Sequence, residues 1–136
     1  MASLCSSTLW WWLVTIWFVT LFLLSSMPKL PPGPEIPFQD KVLHTVYYSI
    51  GAACYYLARR FGKHASGGTQ ATLAAIVFCM AVGAFDEFHQ SLVPNRSGND
   101  PFDWLADTMG GFTGSILGWT FWRITSARKK PSAAAD

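Results

Sequence analysis

The chain has 136 residues, of which 51% are hydrophobic and 13% charged, about half of the roughly 25% charge of soluble domains. That composition excludes a disordered tail, a disulfide-rich secreted miniprotein and a collagen-like repeat, and it points to a bilayer as solvent. The net charge of +2 says little as a sum, because positive and negative residues are segregated along the chain.

Residues 1–28 and 65–85 carry no charge, and 42–58 and 104–122 hold only His44 and Asp107 as ionisable polar interruptions. A spanning helix needs about 20 mostly apolar residues, and four segments fit: about 8–26, 40–60, 69–90 and 103–123. The first has no basic n-region and no A-x-A cleavage site after its apolar run, so it reads as a retained helix rather than a secretory signal. Trp10, Trp11, Trp12 and Trp17 near its start fit an interfacial aromatic belt. Pro28, Pro31, Pro32, Gly33, Pro34 and Pro37 make the first connection extended and non-helical. Gly62, Gly67 and Gly68 break the second, and Pro94, Gly98 and Pro101 the third. The fourth helix is the least apolar, since it holds Asp107 and four glycines. Cys5, Cys54 and Cys79 form no CxxC pair and read as small apolar residues. The expected architecture is an all-α, four-helix transmembrane bundle, one domain over 1–136, ending in a basic cytoplasmic tail over 124–136.

Lysine and arginine set the orientation. Arg59, Arg60 and Lys63 in the second connection, with Arg123, Arg128, Lys129 and Lys130 at the C-terminus, put seven of the ten on one side. The other side has Lys29, Lys41 and Arg96, and seven of the eight acids: Glu35, Asp40, Asp86, Glu87, Asp100, Asp103 and Asp107. Both termini are therefore expected in the cytoplasm, with the acidic end outward.

Three helix ends deliver ionisable groups to that outer level. Asp40, Lys41 and His44 open helix two; Asp86, Glu87, His89 and Gln90 close helix three; Asp103 and Asp107 open helix four. Arg96 and Asn99 lie in the connection above them. On helix four, Asp103, Asp107, Gly110, Gly111, Gly114 and Gly118 recur at three- and four-residue steps and share a face. Glycines at four-residue spacing let membrane helices approach closely, and the same packing aims the aspartates inward. Asp40, His44, Tyr48, Gly51 and Tyr55 form a matching stripe on helix two. A structural role accounts for several of these residues. Asp100, Pro101 and Asp103 have the pattern of an N-cap, an N1 proline and a first-turn acid. Lys41 or Arg96 can neutralise Asp86 and Glu87 in an ion network, and His89 reads as a loop residue. Carboxylates at the C-terminal end of helix three oppose its dipole, and a charge near a membrane costs at least ~2.5 kcal/mol, which favours a task for Asp86 and Glu87.

The ordered blocks Asp40-Lys41-xx-His44-xxx-Tyr48, Asp86-Glu87-xx-Gln90, then Arg96, Asp103 and Asp107-xx-Gly110 resemble the signature of VanZ-like membrane proteins. The resemblance covers about 39–118. It implies a multi-pass protein of the bacterial cytoplasmic (inner) membrane, in a family named for a member linked to teicoplanin resistance; it implies no particular reaction. The family often has Asn where this chain has Asp107.

Two readings follow for an outward-facing pocket ringed by these groups. In the first, an enzyme acts on a lipid-linked envelope substrate. Asp86 and Glu87 then divide into acid and base, His44 relays a proton, and Lys41, Tyr48, Gln90, Arg96, Asp103 and Asp107 bind substrate. A divalent metal is compatible with it, through His44 with Asp86, Glu87, Asp103 or Asp107, where oxygen ligands suit magnesium, calcium or manganese and the imidazole admits zinc. In the second, a non-catalytic binder takes up lipid head groups or lipophilic compounds. A small transporter ranks below both, since no charge lies at mid-membrane. The expected partners are the bilayer, a lipid-linked substrate and, through the glycine stripe, a second copy of the chain; nothing calls for nucleic acid.

Overall fold

The fold is taken from a computed structural model, which describes residues 3–28 and 37–127. Lys29, Pro31, Pro32, Gly33, Pro34 and Glu35 of the first connection, and the tail residues Arg128, Lys129 and Lys130, lie outside the described residues. A 3-10 turn at Ser3–Cys5 leads into four α-helices: α1 Ser7–Ser25, α2 Gln39–Arg60, α3 Gly68–Ser91 and α4 Pro101–Ala127. The described residues contain no strand. Of the four helices, α1 and α3 are long and apolar enough to cross a membrane by themselves. Helix α2 begins after Phe38, whose backbone is left-handed at φ 56°.

Consecutive helices run antiparallel, so α2 and α4 are parallel, and these two pack most closely. The register is set by the glycines. A Cβ at Gly110 would lie 2.6 Å from the Tyr48 Cβ, one at Gly114 would lie 2.7 Å from the Ala52 Cβ, and one at Gly118 would lie 2.9 Å from the Tyr56 ring. Without side chains on that stripe, the α4 backbone rests directly on α2. The stripe is thus buried within the chain.

Helix α1 closes the bundle against α2 and α3. Trp17 is only 5% exposed, and its indole donates to the Tyr47 carbonyl at 2.9 Å. It therefore belongs to the core rather than to an interfacial belt, a correction to the sequence expectation. An aromatic belt could not be distinguished from an inward tryptophan by position alone, because α1 is apolar on every side. Trp11 and Trp12 do face outward.

The parallel α2/α4 arrangement brings the two acidic helix starts to one end, beside the C-terminus of α3. The opposite end holds Arg59, Arg60, Lys63 and Arg123. There Arg59 donates to the Ser66 hydroxyl at 2.9 Å, and the Arg60 guanidinium lies 3.7 Å from the centre of the Trp122 ring, a cation–π contact.

Candidate functional site

At the acidic end a cavity of about 490 Å³ opens between α1, α2, α3 and the α3–α4 connection. One wall is apolar, built from Leu21, Leu24, Pro28 and Leu43; the other is polar, with His44, Asp86, Gln90, Arg96 and Asp103. Tyr48 also lines it, with its hydroxyl buried and unpartnered. Glu87, Asp107 and Lys41, expected around the same pocket, stand behind or beside the wall rather than in it.

The charged and amide side chains are held by specific contacts. Asp86 is 3% exposed. One of its oxygens accepts from the Ser25 hydroxyl of α1, and the other accepts from the Gln90 amide at 2.8 Å. The Gln90 carbonyl in turn accepts from Arg96 at 2.7 Å. A relay Ser25–Asp86–Gln90–Arg96 therefore ties α1, α3 and the connection together. Ser25 escaped the sequence reading; the only signal was a polar Ser25-Ser26 pair closing an otherwise apolar helix. His89, read as a loop residue, is helical instead, with its ring stacked on Phe22 at 4.6 Å. Ser26 also approaches its Nε2, at 3.0 Å.

Lys41 is the hub of a second cluster. Its ammonium donates to Asp100 and Asp103, each at 2.6 Å, and to Asp40 at 3.0 Å. It pairs with all three, offsetting one of their charges, and makes no ion pair with Asp86 or Glu87. Through this hydrogen bond Lys41 holds the Asp100 carboxyl below the usual carboxylate range. Asp100 also caps α4, accepting from the Phe102 amide at 2.8 Å. Capping and charge pairing thus coexist in one residue.

The third group is the most deeply placed. Asp107 is fully buried, and its Oδ1 lies 2.9 Å from His44 Nδ1. Space for it comes from Gly83 of α3, where a Cβ would lie 3.0 Å from the Asp107 Cβ. Glu87 is 4% exposed. Its Oε2 accepts from the Asp100 amide at 2.7 Å, while Oε1 has no partner. Donor atoms of His44, Glu87 and Asp103 all lie within 4.8 Å of one another. Of the ligand combinations open at the sequence level, these three meet; both oxygens of Asp86 are taken, and Asp107 holds His44 through Oδ1 with Oδ2 unpartnered.

The VanZ/LLP1 family model matches residues 7–123, which takes in all four helices up to the last turn of α4. The chain belongs to the VanZ/LLP1 family. No curated protein and no solved structure matches it. Membership in VanZ/LLP1 together with two helices apolar enough to span a bilayer points to a membrane protein. The three polar blocks that suggested VanZ are the ones that fold around this cavity.

Proposed function

We propose that this VanZ/LLP1 protein spans the bacterial inner membrane four times, with both termini cytoplasmic, and that its cavity faces outward to receive the head group of a lipid-linked envelope substrate. The observation that carries this reading is the two-faced cavity. Its polar wall suits a head group, and Leu21, Leu24 and Leu43 offer a path for an acyl or prenyl chain beside α1. Large apolar side chains cover the outside of all four helices, among them Ile16 and Leu23, Val46 and Ile50, Leu73 and Val77, and Phe112 and Ile116. Exposed apolar area on every helix suits lipid rather than water. That includes α2 and α4, whose polar residues are directed at each other.

Within the cavity, His44 is the side chain best placed for acid–base work, since Asp107 fixes its ring as a carboxylate orients a catalytic histidine. Glu87, with one unbonded oxygen, is its neighbouring carboxylate. Asp86, with both oxygens taken, is better suited to positioning than to proton transfer. That engagement, with Lys41 spent on three aspartates, favours a second reading in which the cavity only binds.

The test is lipid retention. The protein purified from bacterial membranes in mild detergent is expected to carry a defined lipid class, identified by mass spectrometry. Leu24→Trp, which fills the apolar wall, and Arg96→Ala, which removes the cation of the polar wall among the described residues, should each lose most of it. Equal retention in both variants would reject the cavity as the binding site. If the family's link to teicoplanin extends to this chain, expression in a susceptible host should lower teicoplanin sensitivity, and Leu24→Trp should abolish that effect.

A further inference from the structure

We infer that His44, Glu87 and Asp103 form a binding site for a single divalent transition-metal ion, zinc or manganese, at the edge of the cavity. The three side chains come from α2, α3 and α4, and their donor atoms already converge to within 4.8 Å. In a tetrahedral site with bonds of about 2.1 Å, ligand atoms stand about 3.4 Å apart. Side-chain rotation of about an ångström would therefore close the set.

Glu87 supplies the independent sign that something belongs there. A carboxylate oxygen left without a partner inside a protein is costly, and Oε1 is such an atom on a side chain that is 96% buried by its 4% exposure. Its sister oxygen is fixed by the Asp100 amide, so the carboxylate is oriented and one oxygen is left to ligate. The other two ligands are prepared in the same way. His44 uses Nδ1 toward Asp107, which leaves Nε2 to ligate, as in the carboxylate–histidine–metal arrangement found around bound metals. Asp103 gives one oxygen to Lys41 at 2.6 Å and keeps the other.

Charge favours the same occupant. Among the described residues Asp40, Asp86, Glu87, Asp100, Asp103 and Asp107 gather at this end, opposed by Lys41 and Arg96 as permanent cations. Lys41 is divided among three aspartates. An imidazole among two carboxylates disfavours magnesium and calcium, which prefer all-oxygen shells, and no thiolate is present to select softer ions. Zinc and manganese fit the mixed set. Metal binding here needs only these side chains and does not depend on a lipid in the cavity; it takes His44 Nε2 and Glu87 Oε1, so acid–base work by these two belongs to the metal-free protein. A bound ion would, however, turn an acidic wall into one able to accept a phosphate oxygen beside Arg96.

The experiment uses the full-length protein in detergent, stripped with a chelator, re-equilibrated with ZnCl2 or MnCl2, and freed of excess by gel filtration. Elemental analysis is expected to find one ion per chain with at least one of the two metals. Glu87→Gln, nearly isosteric, should weaken binding about tenfold or more while eluting as the wild type does. Should that variant fail to fold, X-ray absorption at the metal edge of the loaded wild type decides: one imidazole nitrogen with oxygens supports the site. No stoichiometric ion in the wild type, a sulfur ligand, or undiminished affinity in a folded Glu87→Gln would overturn it. Lipid retention measured on the chelated protein separates this outcome from that of the cavity itself, since retained lipid without metal binding leaves the cavity reading standing.

Discussion

Asp107 shows how one side chain is made affordable by a residue that has none. Fully buried, it needs both a partner and room; His44 gives the first and Gly83 the second. Ordinarily, Gly→Ala inside a helix stabilises by about 1 kcal/mol. At Gly83 the new methyl would meet the Asp107 carboxylate, with Oδ2 at 2.5 Å and Cβ at 3.0 Å. Gly83→Ala should therefore destabilise by about 1–3 kcal/mol, the usual cost of overpacking, seen as a lower thermal midpoint in detergent. Shortening the partner tests the cause. Gly83→Ala combined with Asp107→Ser should cost clearly less than the two single changes added together, and strict additivity would refute a direct clash. Residue spacing made Asp107 legible as an inward-facing acid, because it shares the glycine face of α4. The oxygens that are free were not legible. Glu87 Oε1 is left open only because the Asp100 amide, 13 residues away, takes Oε2, and no periodicity encodes that.

At the scale of elements, the α2/α4 pair decides whether the site exists, since two of its three clusters, Lys41 with its aspartates and His44 with Asp107, join these two helices. Their contact is backbone against backbone. At Gly114 a Cβ would run into the Ser49 carbonyl as well as the Ala52 methyl, and neither can swing aside as a long side chain would. Gly114→Ala should push the helices apart, cost about 1–3 kcal/mol, and loosen His44 from Asp107. Gly68→Ala is the fitting control, for its Cβ would meet nothing nearer than the Tyr56 hydroxyl at 3.8 Å. A thermal midpoint lowered at Gly114 and unchanged at Gly68 is expected; equal effects would argue against close approach as the cause. The stripe was readable from the four-residue spacing of Gly110, Gly114 and Gly118, but its partner was not. Helix two and helix four are separated in sequence by all of α3, and only the antiparallel succession makes them parallel neighbours. Ser25 was hidden for the same reason: its contact with Asp86 joins α1 to α3 across 61 residues.

At the scale of the whole molecule the two ends differ in sign, and that difference carries the proposed orientation. Asp40, Asp86, Glu87, Asp100, Asp103 and Asp107 sit at one end, and Arg59, Arg60, Lys63 and Arg123 at the other. Basic residues are retained on the cytoplasmic side during insertion, whereas acids have little influence. Only α1 and α3 would insert on their own apolarity. Helices α2 and α4 bring their polar faces to each other, so their apolar residues Val42, Val46, Ile50, Leu105, Met109 and Phe112 are left exposed, and in the proposed arrangement they would face lipid. If this is right, the α3–α4 connection lies outside and the α2–α3 connection inside. Single cysteines placed in a Cys5→Ser background report on both, because Cys54 and Cys79 are buried. Ser97→Cys, on the exposed connection at the cavity, should react with a membrane-impermeant maleimide in intact bacteria. His64→Cys, exposed at the basic end, should react only after lysis. The reverse pattern would turn the cavity toward the cytoplasm and remove every substrate confined to the outer leaflet. Labelling at both positions in intact cells would mean that α3 does not cross at all, and the four-span arrangement would fall with it.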